Sequence, residues 1–189
     1  MFKFVGGGKN LTFIIAVALF LLLLVSGVFF LYFKELGVSE NLVISSYEEC
    51  VLAGNPVLES YPPQCVTKDG QTFSEEIGNE LELTNEIQMI NPRPNQLIEK
   101  TLEISGQATG SWLFEGQTSV KLYDTNNNIV AEGIVTAESN WMTEEMVPFK
   151  GTLNFTQIDP QKGRLVIEKS NPSGLEENKK ELAVPIYFK

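Results

Sequence analysis

Histidine is missing altogether from this sequence of 189 residues, and cysteine occurs only twice, at Cys50 and Cys65. Without histidine there is no Ser-His-Asp or Cys-His arrangement and no imidazole general base. A zinc site would have to combine both thiolates with carboxylates, and the C-x-x-C spacing of redox pairs is absent. Basic residues are scarce as well: 14 Lys and Arg stand against 24 Asp and Glu, a net charge of −10. That balance disfavours nucleic acid, whose phosphates need clustered cations, and it disfavours docking on anionic lipid headgroups. There is no G-x-S-x-G elbow, no S-x-x-K pair and no phosphate loop ending in G-K-S/T. Adjacent acids do occur, as in Glu48-Glu49 and Glu144-Glu145. Neighbours on a strand point to opposite faces, so these pairs are not arranged for glycoside chemistry. The expectation is a protein that is not an enzyme and carries neither metal nor cofactor.

What the chain does have is one long apolar run. Residues 11–33 contain no charge. As a helix they would extend about 35 Å, enough for a hydrocarbon core of about 30 Å. A core helix would carry a polar stripe, and a cleavable signal has a shorter apolar region with a small-x-small site. This run instead ends in Phe29, Phe30, Leu31, Tyr32 and Phe33, which suits an interface belt. The reading is a single transmembrane helix acting as an uncleaved anchor, preceded by a cytoplasmic tail at 1–10. Lys3 and Lys9 favour an inside N-terminus, and residues 34–189, with 12 basic and 24 acidic side chains, fall outside.

Residues 34–46 read as a stem and 47–74 as a small segment containing Cys50 and Cys65. In an oxidising compartment, two thiols 15 positions apart among Pro and Gly are most economically a disulfide. So short a segment could scarcely bury enough surface to fold unstapled. Lys68-Asp69-Gly70 has the chemistry of a hairpin turn. An acidic, turn-rich spacer at 75–84 follows.

From residue 85 onward the pattern changes to alternation. Ile87 and Met89 share a face, as do Leu102, Ile104, Gly106 and Ala108, then Val120 and Leu122. A weaker run covers 129–137; Leu153 and Phe155, Leu165 and Ile167, and finally Leu182, Val184, Ile186 and Phe188 complete the series. About seven short strands with one apolar face each describe an antiparallel β-sandwich. Pro185 removes a ladder donor and predicts an edge or bulge for the last strand. The fold class expected is therefore mainly β, a sandwich at 85–189 behind one transmembrane helix and a disulfide-stapled segment.

Three stretches point to a family. They are Asn91-Pro92-Arg93-Pro94-Asn95-Gln96, Ile104-Ser105-Gly106-Gln107-Ala108, and Gly110-Ser111-Trp112-Leu113-Phe114-Glu115. With Trp141-Met142-Thr143, Val147-Pro148-Phe149 and Asn171-Pro172-Ser173-Gly174-Leu175, the region 86–189 resembles the bacterial spore-germination immunoglobulin-like domain. Two positions depart from that pattern: the turn after Asp124 is Thr-Asn-Asn-Asn, and Ser170 stands before N-P-S-G. The resemblance implies an extracytoplasmic immunoglobulin-like module that mediates adhesion or assembly, without implying germination.

Candidate interaction residues follow from the same motifs. Trp112, Phe114 and Trp141 sit in connections, where aromatic side chains either plug the ends of a small sandwich or form an exposed binding patch. Glu115 either bonds donors in its own loop or is solvated. Asn171, Pro172, Ser173 and Gly174 have turn chemistry at every position and also suit a ligand loop. Asp124-x-Asn126-x-Asn128 matches the start of a calcium loop, but Ile129 and Val135 occupy the positions that need Gly and Glu. The function expected is interaction, adhesion or assembly at the cell membrane of a bacterium, with an envelope protein or wall polymer as partner. Two alternatives remain open at this point: a carbohydrate- or peptidoglycan-binding sensor, and a structural subunit of an envelope complex.

Overall fold

The computed structural model describes residues 43–156 and 161–189, together with Ile15, Val17, Leu19, residues 21–26 and Phe29. The chain divides into two compact units, Met1–Ile44 and Ser45–Lys189. In the first, the described residues from Ile15 to Phe29 are helical, Val43 and Ile44 are not, and the apolar side chains of residues 21–25 are all exposed. Among the described residues no helix is long and apolar enough to cross a membrane. The segment 11–33 lies largely outside the described residues; the tail at 1–10 and most of the stem, 34–42, lie wholly outside them.

The second unit opens with a short helix, α1 (Tyr47–Leu52). Ser46 caps it by accepting from the Glu49 amide at 3.1 Å, while the Glu49 carboxylate accepts from the Ser45 amide at 2.8 Å. Glu48 and Glu49 in the first turn complement the helix dipole. Three strands follow, β1 (Val57–Leu58), β2 (Gln64–Val66) and β3 (Thr72–Ser74), paired in that order. The Cys50–Cys65 disulfide ties α1 to β2, and both cysteines are buried. Lys68-Asp69-Gly70 does form the turn between β2 and β3, closed by the Thr67 amide donating to the Gln71 carbonyl.

The remaining strands make one large sheet. They are β4 (Ile87–Asn91), β5 (Gln96–Ile98), β6 (Thr101–Thr109), β7 (Gln117–Asp124), β8 (Ile129–Ala137), β9 (Met146–Asn154), β10 (Lys162–Glu168) and β11 (Glu181–Phe188). The order is β4-β6-β9-β8-β7-β10-β11-β5, antiparallel except where β5 lies parallel to β11. Strands β8 and β9 pair only at Thr136–Lys150 and Ala137–Phe149. The sheet therefore curls there, and its apolar faces close on a single core that includes Ile87, Ile104, Val120, Phe149, Leu165 and Ile186. Alternation follows directly from the pleat: β6 and β11 bury every second residue along their length.

Three expectations need correction. The sheet has eight strands where about seven were expected, because β5 is three residues long and too short to show a period. The segment 75–84 is packed onto the sandwich instead of spacing it. Leu83 belongs to the core, and Asn79 lies beside β11, donating to the Glu181 carbonyl at 2.9 Å and accepting from the Ala183 amide at 2.8 Å. Finally, β11 is not an edge, since β10 flanks one side and β5 the other. Pro185 falls on the outer side between Asn79 and β5, where its carbonyl accepts from the Asn95 amide and no donor is required.

Arg93 links the stapled segment to the sandwich. Its guanidinium donates to the Met89 carbonyl at 2.7 Å and to the Glu80 carboxylate at 3.0 Å, and it also donates to the Tyr61 hydroxyl. Glu80 is itself buried, and that burial pushes its carboxyl above the ordinary value despite the nearby Arg93 cation. Lys162 at the start of β10 is ion-paired with Glu48 of α1.

Candidate functional site

Strand direction gathers three connections at one end of the sandwich: 110–116 between β6 and β7, 138–145 between β8 and β9, and 169–180 between β10 and β11. The opposite end carries the β7–β8 turn and Lys162 with its ion pair to Glu48 of α1. The chain enters this unit at that opposite end.

Trp112 faces inward and is 0% exposed. Its indole N–H donates to the Glu86 carboxylate at 3.2 Å, and Glu86 also accepts from the Lys180 ammonium at 2.6 Å. The hydrogen bond from Lys180 is the main reason that the Glu86 carboxyl lies below its ordinary value; the one from Trp112 adds to it. Trp112 thus plugs the core at this end, and its one polar atom is satisfied.

Phe114 points the other way and is 44% exposed. It meets the half-buried Trp141 edge-to-face, with ring centroids 6.0 Å apart and planes at 62°. Met142, next in sequence, is 72% exposed. The two loops interlock through Gly110, where an added Cβ would lie 1.8 Å from the Trp141 carbonyl oxygen, so no larger residue fits. Glu115, between Phe114 and Gly116, has φ 56° and ψ 27°, a left-handed conformation uncommon outside glycine. Its carboxylate is exposed and makes no hydrogen bond or ion pair among the described residues. Of the two alternatives for Glu115, a bond within its own loop or a solvated carboxylate, this placement matches the second. The connections 110–116 and 138–145 together carry Glu115, Glu138, Glu144 and Glu145 but no Lys or Arg.

The turn at Asn171-Pro172-Ser173-Gly174 is held by its own side chains. Asn171 donates to the Leu175 carbonyl at 2.8 Å, and Ser173 donates to Asn171 Oδ1 at 2.6 Å. Gly174 supplies the positive φ of 68° that closes it. At the far end, the Asp124 carboxylate accepts from the Asn126 amide, the Asn128 amide and the Asn128 side chain at 2.8–2.9 Å. Those bonds make an Asx turn and hold the Asp124 carboxyl below its ordinary value, the Asn128 side-chain bond leading. Among the described residues no three His, Cys, Asp or Glu side chains group closely enough to hold a metal ion.

Sequence reasoning singled out Trp112, Phe114, Glu115 and Trp141 but could not divide their roles. The structure buries the first, exposes Phe114 and Glu115, and leaves Trp141 half-buried between loops. It missed Glu86 and Lys180 as partners of the plug, because their contacts span 26 and 94 positions and leave no local signal. Met142 was visible only as part of a family motif. No curated protein matches the chain. A family model does match residues 86–175, from the residue before β4 to the end of the Asn-Pro-Ser-Gly turn, and so stops short of β11. That family is Gmad2, the immunoglobulin-like domain of bacterial spore germination, and it is the family that residues 86–175 of this chain match.

Proposed function

We propose that the protein is a non-enzymatic display module, tethered to the cell membrane by residues 11–33 with its N-terminus inside and its sandwich outside the cytoplasm. In this reading the loop-bearing end contacts a protein of the bacterial envelope. The observation that carries it is the placement of Phe114, Trp141 and Met142 at the end of the sandwich opposite the point where the chain enters at Ser45. Chain entry at one end of this unit and exposed aromatic side chains at the other is the arrangement a presented contact surface needs. Aromatic residues and methionine dominate the centres of protein interfaces because they bury much area at little entropic cost. The charge-free run at 11–33 and the exposed apolar side chains at 21–25 support the tether. The disulfide supports an oxidising location. The cis-acting pieces then have separate duties: the stapled segment stiffens the base, and Arg93 and Glu48 fix it to the sandwich.

A photo-crosslinking residue placed in living cells at Phe114 or at Met142 should give the same discrete adduct, and one placed at Lys68 in the stapled segment should give none. Phe114→Ala should abolish the Met142 adduct while costing only about 1 kcal/mol of stability, since the ring is half exposed and loses chiefly its pairing with Trp141. Equal adducts from all three positions, or an adduct unaffected by Phe114→Ala, would overturn the assignment of this end as the contact surface.

A further inference from the structure

The connection after β10 walls a groove whose charge runs against the composition of the chain. The groove encloses about 790 Å³ between that connection and the outward residues Ser119 and Lys121 of β7. Lys121, Lys169, Lys179 and Lys180 line it, four of the 14 basic residues in a chain of net charge −10, against Glu168 and Glu181. A second hollow of about 410 Å³ continues it along the other side of the Asn-Pro-Ser-Gly turn and shares Lys169, Lys179 and Lys180, with Glu177 as its one carboxylate.

The four cations are not equally engaged. Lys121 pairs with Glu168, and Lys180 with Glu86, each at 2.6 Å, the first pair partly buried and the second more exposed. Lys179 pairs with Glu176 at 2.6 Å, but both groups are well exposed, and such a pair is easily exchanged for another anion. Lys169, half-buried in the wall shared by both hollows, makes no ion pair within 4.0 Å among the described residues; its charge acts on the Glu86 carboxylate only from farther off, as a minor influence. The wall itself is rigid before any ligand arrives. Besides the bonds inside the turn, Ser170 donates to the Gln117 carbonyl at 3.1 Å and Asn178 to Ser173 Oγ at 3.0 Å. A site held in place in this way pays little ordering entropy on binding.

The lining also selects a chemistry. All its cations are lysines, compact point charges that bind phosphate oxygens without the bidentate fork of an arginine. No aromatic ring lines either hollow, so a neutral sugar would find no stacking surface. Two hollows joined through one set of lysines suit a chain of anions better than a single ion. We infer that this groove binds successive phosphate groups of an anionic envelope polymer, with Lys169 as the principal contact and Lys179 beside it. The location of that polymer rests on the proposed extracytoplasmic placement; the phosphate chemistry does not.

The full-length protein in non-ionic detergent micelles is titrated calorimetrically with poly(glycerol phosphate), inorganic phosphate and polygalacturonate at low salt. Poly(glycerol phosphate) should bind more tightly than either of the others. Lys169→Glu should weaken that binding by about tenfold or more, the loss of one good charge-assisted contact. Lys68→Glu, the same charge change on an exposed turn, should leave it within about twofold of the unaltered protein. Far-UV spectra of the two variants should coincide. Equal losses from Lys169→Glu and Lys68→Glu would reduce the effect to net charge and overturn the site. No binding of the polymer, or tighter binding of polygalacturonate or of inorganic phosphate, would overturn it as well. The crosslinking at Phe114 and Met142 does not involve this groove, so either result can fail without the other.

Discussion

Trp112→Ala should lower the unfolding free energy by about 3–5 kcal/mol, the usual range for removing a large aromatic side chain from a packed core. The ring is fully buried among the core residues that close the loop-bearing end, and the space it leaves is walled by strands that cannot collapse together. Its removal also strands the Glu86 carboxylate, which then keeps only the Lys180 ammonium. Trp112→Phe separates the two contributions. It retains most of the packing, deletes the indole N–H, and should cost about 1–2 kcal/mol through the lost hydrogen bond together with some lost volume. Small domains are stable by about 5–15 kcal/mol, so the alanine variant should unfold at far lower urea concentration while the phenylalanine variant remains folded. Trp141 persists as the fluorescent reporter in both. An alanine variant as stable as the parent would show that Trp112 is not a plug.

Cys50→Ser with Cys65→Ser should produce the second large effect, about 3 kcal/mol for a loop of this length, but a local one. The stapled segment consists of a six-residue helix and strands of two to three residues, each far below the size that is stable alone. Both cysteines lie outside the core cluster of the sandwich, whose first member is Leu83. Amide exchange in the double variant should therefore become fast in 47–74 while β6, β9 and β10 stay protected. Loss of protection throughout would mean that the sandwich depends on the staple, and retained protection in 47–74 would mean that the segment does not need it.

How far the sequence could be read is clearest strand by strand. Strands β6, β7 and β11 alternate cleanly because one face meets the core and the other meets water. Strand β8 reads weakly for a physical reason: only Val135 along it is fully buried, as the sheet curls away from β9 there. The start of β9 was seen as a motif, Val147-Pro148-Phe149, rather than as a strand. Strand β5 and the docking of Asn79 on β11 were invisible, since both depend on partners about a hundred positions away. The candidate site shows the same division. Turn chemistry at 171–174 and aromatic residues at 112, 114 and 141 are local and were legible. The Trp112–Glu86–Lys180 chain, the Arg93 link and the lysine groove arise only when distant connections meet at one end of the fold.

The tether and its direction are tested most directly by adding protease to intact cells, after removal of any outer layer, with tags at both termini of the full-length protein. The C-terminal tag should be digested while the N-terminal tag stays protected and sediments with membranes. Protection of both tags, or recovery of the protein away from membranes, would contradict a sandwich displayed outside the cytoplasm on a transmembrane anchor.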